Sequence, residues 1–389
     1  QIKKKATLGG ALIEAWLNSI LSGPTTTAVN ALSGFLTTGM APVEKALGAA
    51  ARGDLKRAGR ELKRYVYLAR AAQDSIRLAH AVLKDNRAVL DPLTSSVREG
   101  QYGPSQITNR LLETRMANST AGVEAARWIG TIFNLPSRFL TAGDELFKQL
   151  NYRSAMEAGL VEQAIKNGMT DSKEIASYAT EQMQRLIQDG QYLARKQFTK
   201  EARNNPAIKN ITDPYEKAEA IGKYVEAEMK KYSPLAERAL KQSQEVTFTD
   251  PLTKDRGHFI NISRNLSNAV NESPGLRLFF PFVRTPSNII KYVMDRTPLA
   301  LLNKQTRDSF NIFNKELFSA NAQIREDAVG RMMFGTSLMT TGYMLALNGN
   351  LTGGGPSDRN QQKVLRDAGW QPYSIRIGDK YVSYRRMDP

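Results

Sequence analysis

Residues that could carry acid–base, nucleophilic or metal chemistry are few in this chain and poorly placed for it. There is no cysteine, and the two histidines, His80 and His258, are far apart in sequence. Disulfides, thiolate metal sites and a cysteine nucleophile are therefore excluded, and a histidine-based zinc or triad site finds no support. Asp144 and Glu145 are neighbours in a helical tract. Adjacent helical residues point about 100° apart, so the two do not make the facing carboxylate pair of a glycosidase. They read instead as a helix-start charge or as partners for Lys148 or Arg153. An enzyme could still be written on a lone glutamate, Glu124 or Glu145, acting as a peptidoglycan lyase; that needs a groove around one desolvated carboxyl. Gly353-Gly354-Gly355-Pro356 lacks the Gly-Lys-Ser/Thr that completes a phosphate-binding loop and reads as a hinge. No catalytic, metal or cofactor residue is assigned.

Chemistry toward polyanions is better supplied. Over 389 residues, 54 basic and 38 acidic side chains give a net charge of +16, which favours nucleic acid or anionic lipid as a partner. Residues 44–90 carry eleven basic and five acidic side chains. Within them Lys56, Arg57, Arg60, Lys63 and Arg64 are the candidate DNA- or anion-facing group, with a solvated outer face as the alternative. Aromatic residues for base stacking are nearly absent there, so DNA contact would be electrostatic and independent of sequence.

The elements that position these residues are helical. Leu55, Ala58, Leu62, Tyr65, Ala69, Ala72, Ile76, Ala79 and Leu83 recur at spacings of three and four, the seam of a coiled-coil-like helix. If that seam is buried, Leu62→Asp and Ile76→Asp should each cost several kcal/mol. Helical sequence resumes at Ile107, is interrupted at Pro136 and Gly168, and turns Phe139, Leu146, Phe147 and Leu150 inward. Asp91-Pro92 and residues 100–104 mark a loop, Pro214 suits a first helical turn, and His258 falls in a polar stretch read as loop. Only residues 373–377 and 380–384, joined by Gly378-Asp379, read as β structure, a two-residue hairpin. The fold class expected is mainly α: an elongated multi-helix assembly with a small C-terminal β-hairpin.

Two segments of this charged chain carry no charge at all, residues 15–43 and 332–357. Withholding charge in blocks points to a membrane, a large partner, or both. The first block reads as two short apolar helices broken at Gly23-Pro24 and ending near Gly39 and Pro42, with Trp16 on its apolar surface. The second lies in one long helix over 316–348. Its sixteen apolar-rich residues would span ~24 Å, short of a ~30 Å hydrocarbon core. Phe334, Gly335, Gly342 and Ala346 are its candidate membrane or helix-packing residues. Phe279, Phe280, Phe282 and Arg284 form the densest aromatic cluster, either a buried joint or an assembly contact, with Thr285 expected to cap a helix opened by Pro286. The organisation expected is an apolar segment 1–43, a helical scaffold 44–210, a helical linker 211–275, the aromatic joint and apolar helix 276–357, and a tail 358–389. Lys3-Lys4-Lys5 imitates a signal peptide, but Glu14 interrupts the apolar run. Gln1 and Pro389 read as cut ends of a longer protein.

The order of four phrases carries a resemblance: WLNSILSGPTT at 16–26, GDELFKQLNYR at 143–153, FFPFVRTPSNI at 279–289 and GWQPYSIRIGDKYVSYRRMDP at 369–389. The series resembles the C-terminal regions of very large bacteriophage internal virion proteins, including the DNA-ejection proteins of short-tailed phages and large polyvalent phage proteins. The resemblance covers nearly the whole chain, through structural phrases and no catalytic signature. It implies a homo-oligomeric virion protein held in the capsid interior or near the portal and tail. It also implies passage into the host periplasm and inner membrane as part of a conduit for phage DNA, beside other ejection, portal or tail proteins. A purely structural capsid-interior protein is the remaining alternative.

Overall fold

The computed structural model describes residues 8–85, 88–90, 105–114, 118–184, 191–211, 214–232, 234–252, 258–272, 276, 279, 280 and 282–384. It is mainly α, with one two-stranded antiparallel sheet near the C-terminus. The loop expected around Asp91-Pro92 and 100–104 lies outside the described residues.

Helices α1 (Leu8–Leu21) and α2 (Pro24–Ala51) are separated at Gly23, with Pro24 at the first turn of α2. The expected end near Gly39 and Pro42 is overturned: α2 runs straight through Pro42 to Ala51. An internal proline costs a helix about 3 kcal/mol. Tertiary contacts on both sides of it outweigh that cost. Gly34 lies against the Phe147 ring, the Thr37 hydroxyl donates to the Val246 carbonyl at 3.0 Å, and Gly48 lies against Glu326.

After Gly53, which takes φ +81°, Asp54 caps α3 (Leu55–Leu62) by accepting from the Arg57 N–H at 2.8 Å. Helix α4 (Arg64–Asp85) follows a break at Lys63. The nine-residue seam is therefore corrected. Leu55, Leu62, Tyr65 and Ile76 are exposed, Ile76 by 60%. The row that α4 buries is Arg64, Tyr67, Ala71, Ser75 and Val82, and it packs on α7. Threes and fours fit more than one face of a helix this rich in alanine. The polar Arg64 and Ser75 hid the correct face from a hydrophobic reading.

Short α5 (Gln106–Leu112) and α6 (Thr120–Phe133) lead into α7 (Leu135–Lys166), the longest helix of the fold, with Pro136 in its first turn. The helix ends before Gly168, whose φ of +90° suits glycine. Phe147 is buried as expected, but Phe139 is exposed. Tyr152, Ala155 and Met156 of α7 form the main apolar core with Ala236, Ala239 and Leu240. Those last three belong to α12 (Pro234–Val246), reached through α8 (Ser172–Gln184), α9 (Gln191–Asn204), α10 (Pro206–Lys209) and α11 (Pro214–Tyr232). Val225 of α11 packs with Ile221 and with Phe198 of α9 in a smaller cluster.

His258 opens α13 (His258–Glu272), so the loop expected there is also corrected. Helix α14 (Arg284–Met294) begins two residues before Pro286, and Thr285 does not cap it. Proline needs only to lie in the first turn, where N–H groups have no helical acceptor. A 3-10 turn (Pro298–Leu302), α15 (Lys304–Ser309) and α16 (Lys315–Ala320) precede α17 (Ala322–Leu347), so the single helix expected over 316–348 is broken at Asn321. The tail holds α18 (Arg359–Asp367) and strands β1 (Ser374–Ile377) and β2 (Lys380–Ser383), with Ile377 paired to Lys380 across Gly378-Asp379. Gly378 at φ +62° supplies the left-handed turn residue expected there. The tail joins the end of α17 through the Leu351–Ile375 bridge and an Arg376 N–H to Asn350 carbonyl bond of 2.7 Å.

The choice between the two faces of α4 is measurable. Val82→Asp should lower stability by about 3–5 kcal/mol through an unpaired buried charge. Ile76→Asp should stay within about 0.5 kcal/mol of the parent, as exposed substitutions do. Urea unfolding of the two variants, followed by circular dichroism, reads the difference.

Candidate functional site

The densest set of interacting charges lies where α17 crosses α2. Gly48 faces Glu326 and Gly330 faces Glu44, so the two helices run antiparallel. A Cβ on Gly48 would overlap the Glu326 carbonyl oxygen, and one on Gly330 the Glu44 carbonyl oxygen. Only glycine permits that approach, and it brings charged side chains from four elements together. Lys45 donates to Asp327 at 2.8 Å, and Arg296 binds Glu44 through two nitrogens at 2.7 and 2.8 Å. Arg331 reaches Glu245 at 2.7 Å and lies 4.0 Å from Asp295, while Lys291 bridges Asp295 at 3.2 Å and Asp250 at 3.8 Å. These groups surround a cavity of about 30 Å³, room for roughly one water.

The electrostatics follow from burial and pairing. Burial raises Glu44 above the usual carboxylate range, despite Arg296 and Arg331 beside it. Burial works the same way on Asp327, but Lys45 and Arg331 outweigh it and hold that carboxyl low. Tyr292 is pushed up to about 12 by burial, and the Arg296 guanidinium stacks 3.1 Å from its ring centroid. Glu245 foremost holds Arg331 protonated. Every carboxylate here faces a cation, so the cluster is an ionic clasp.

The same arrangement absorbs much of the candidate anion-facing group. Arg57 binds Glu326 at 3.1 Å and Gln323 at 2.9 Å; Arg52 shares the same Glu326 oxygen. Arg60 pairs with Glu162 of α7 at 3.1 Å, and Arg64 is buried against Glu61 at 2.6 Å. Lys56 and Lys63 remain exposed. Glu61 is a local partner at helical spacing, whereas Glu162 and Glu326 come from more than 100 residues away and no spacing signal in the sequence marks them.

The lone-glutamate positions are also placed. Glu145, 1% exposed, accepts from the Val89 and Leu90 N–H groups at 3.1 and 3.0 Å and from Gln149 at 2.7 Å. It ties the chain after α4 to α7 and is not the partner of Lys148 or Arg153; Arg153 binds Asp74 at 2.8 Å. Glu124 is exposed on α6. Asp144 accepts from Asn30 at 3.2 Å, and Asn151 donates to Thr38 at 2.7 Å. The GDELFKQLNYR tract thus docks α2 and the end of α4.

Among the apolar candidates, Trp16 and Phe334 are half-buried, and Ala346 is exposed. Gly335 packs on the Arg296 carbonyl, and a Cβ placed on Gly342 would meet a Leu351 methyl only at 3.9 Å, an ordinary contact. Gly335 thus serves a close contact within the chain, whereas the surroundings of Gly342 leave room for a side chain. Phe279 and Phe280 are exposed, while Phe282 and Arg284 are half-buried, so the aromatic cluster is not a buried joint. Comparisons with protein-family models, curated proteins and solved structures give no match.

The clasp has a pH signature. Asp327 is held below its ordinary value, so its pairing stabilises the fold above that value and the gain is lost as pH falls through the lowered one. Asp327→Asn should unfold more easily than the parent at pH 7, and the gap should close as pH falls below the ordinary aspartate range. Denaturant midpoints across that range test the sign; a constant gap would mean that Asp327 titrates normally.

Proposed function

We propose that this chain is part of a bacteriophage internal virion protein that leaves the particle and helps carry phage DNA across the host envelope. It acts as a non-enzymatic scaffold in a homo-oligomer with other ejection, portal or tail proteins. The observation that carries the membrane part is where the charge-free blocks lie. Both are on helices with exposed apolar side chains: Leu32 and Phe35 on α2, and Leu338, Met339, Tyr343, Met344 and Leu347 on α17. A surface with this much uncharged apolar area needs a cover of lipid or protein.

Helix α17 also suits an apolar surrounding chemically. The Ser337 and Thr341 hydroxyls donate to the carbonyls of Met333 and Ser337, each at 2.8 Å, so these donors are satisfied inside the helix. Among the described residues, no helix is long and apolar enough to cross a membrane by itself. Contact with the host inner membrane is accordingly read as partial entry of α17 in an assembly. The order of the four sequence phrases supports the virion setting, and the excess of basic residues supports a partner such as DNA.

Liposome leakage by the purified chain tests the membrane reading. Met339 is 63% exposed, so Met339→Asp should leave thermal unfolding unchanged. A charge carried into the bilayer costs about 2.5–3.5 kcal/mol, so leakage should fall roughly a hundredfold at equal dose. Leakage equal to the parent would assign α17 to protein packing alone.

A further inference from the structure

Six cations lie within thirteen residues of α3 and the turn before it: Arg52, Lys56, Arg57, Arg60, Lys63 and Arg64. They extend over ~18 Å at 1.5 Å per residue. Carboxylates from distant helices occupy this row. A single oxygen of Glu326, 3% exposed, takes both Arg52 and Arg57, and Glu162 takes Arg60. The row is not saturated. Lys56 and Lys63 are exposed and make no ion pair among the described residues, while Glu61 of α3 itself takes Arg64 and lies 3.9 Å from Arg57. Guanidinium groups bind carboxylate and phosphate oxygens with the same forked geometry.

We propose that α3 and the turn before it form a binding site for the phosphate backbone of duplex DNA, which the chain itself fills with Glu326 and Glu162, so that DNA binding and release of α17 are coupled. The inference rests on the reading above that this protein meets DNA. The side chains that α17 buries fully are polar or small, while Ile324, Val329, Met332 and Phe334 are half-buried. Its buried residues are Glu326, Ala328, Gly330 and Gly335, and small residues contribute little hydrophobic free energy. The Glu326 pairs help to retain α17, beside the Lys45–Asp327 and Arg331–Glu245 bridges. Phosphates that take Arg52 and Arg57 remove those pairs. By linkage, whatever weakens the Glu326 pairs frees these cations and strengthens DNA binding, by at most the same factor.

The test uses the full chain, a mixed-sequence DNA duplex and anionic phosphatidylglycerol vesicles, with fluorescence anisotropy across a salt series and hydrogen exchange of α17. Glu326→Gln should bind DNA roughly fivefold more tightly or better, and Glu162→Gln should shift binding the same way if the first variant folds poorly. Lys56→Gln with Lys63→Gln should weaken binding and flatten its salt dependence. DNA should speed amide exchange over residues 322–335 while leaving α7 protected. Glutamine variants that bind no tighter, or α17 exchange indifferent to DNA, would overturn the coupling alone. A parent that binds no DNA at any salt would overturn the DNA reading as well. Vesicles that loosen α17 where DNA does not would reassign the site to lipid head groups.

Discussion

The close crossing of α2 and α17 is the constraint on which the rest of this structure depends. Gly48 and Gly330 let backbone meet backbone, and no other residue type could occupy either position without separating the helices. Once they touch, Glu44, Lys45, Glu326, Asp327 and Arg331 are carried to within hydrogen-bonding range of partners on α3, α12 and the end of α14. The fold thus joins residues near its two ends through charge, with apolar packing concentrated elsewhere, between α7 and α12.

That division has an energetic consequence. Removing two charges from water is costly, and their attraction offsets the cost only when geometry and further hydrogen bonds are good. Here the offset comes from networks: Arg57 serves Glu326, Gln323 and Glu61, and Lys291 serves two aspartates. An interface of this kind specifies one register sharply while contributing modest net stability. Helix α7 uses the same device more quietly, burying Asp144, Glu145, Gln149 and Asn151 against named partners.

The two charge-free blocks show the opposite economy. Each has one half of its helix committed to the fold and the other half, rich in leucine, methionine and aromatic residues, turned to solvent. Nothing within the described chain covers these side chains. The exposed Phe279 and Phe280 belong to the same description.

Local physics alone determined the fold class, the break at Gly23-Pro24, the start of α7 at Pro136 and the hairpin turn at Gly378-Asp379. Each depends on a few adjacent residues whose backbone preferences leave little choice. The charge-free blocks were legible too, since composition needs no coordinates. Tertiary structure decided the rest. It carried α2 through Pro42, because packing on α7 and α17 exceeds a local penalty. It chose the Tyr67–Ala71–Val82 face of α4 over the exposed Ile76 face, because the partner surface on α7 accepts Arg64 and Ser75. It also turned Arg57 and Arg60 from a solvent-facing row into ion pairs with distant helices. Charges attract at the distances the fold creates, and those distances are invisible in a sequence that keeps Arg57 and Glu326 far apart.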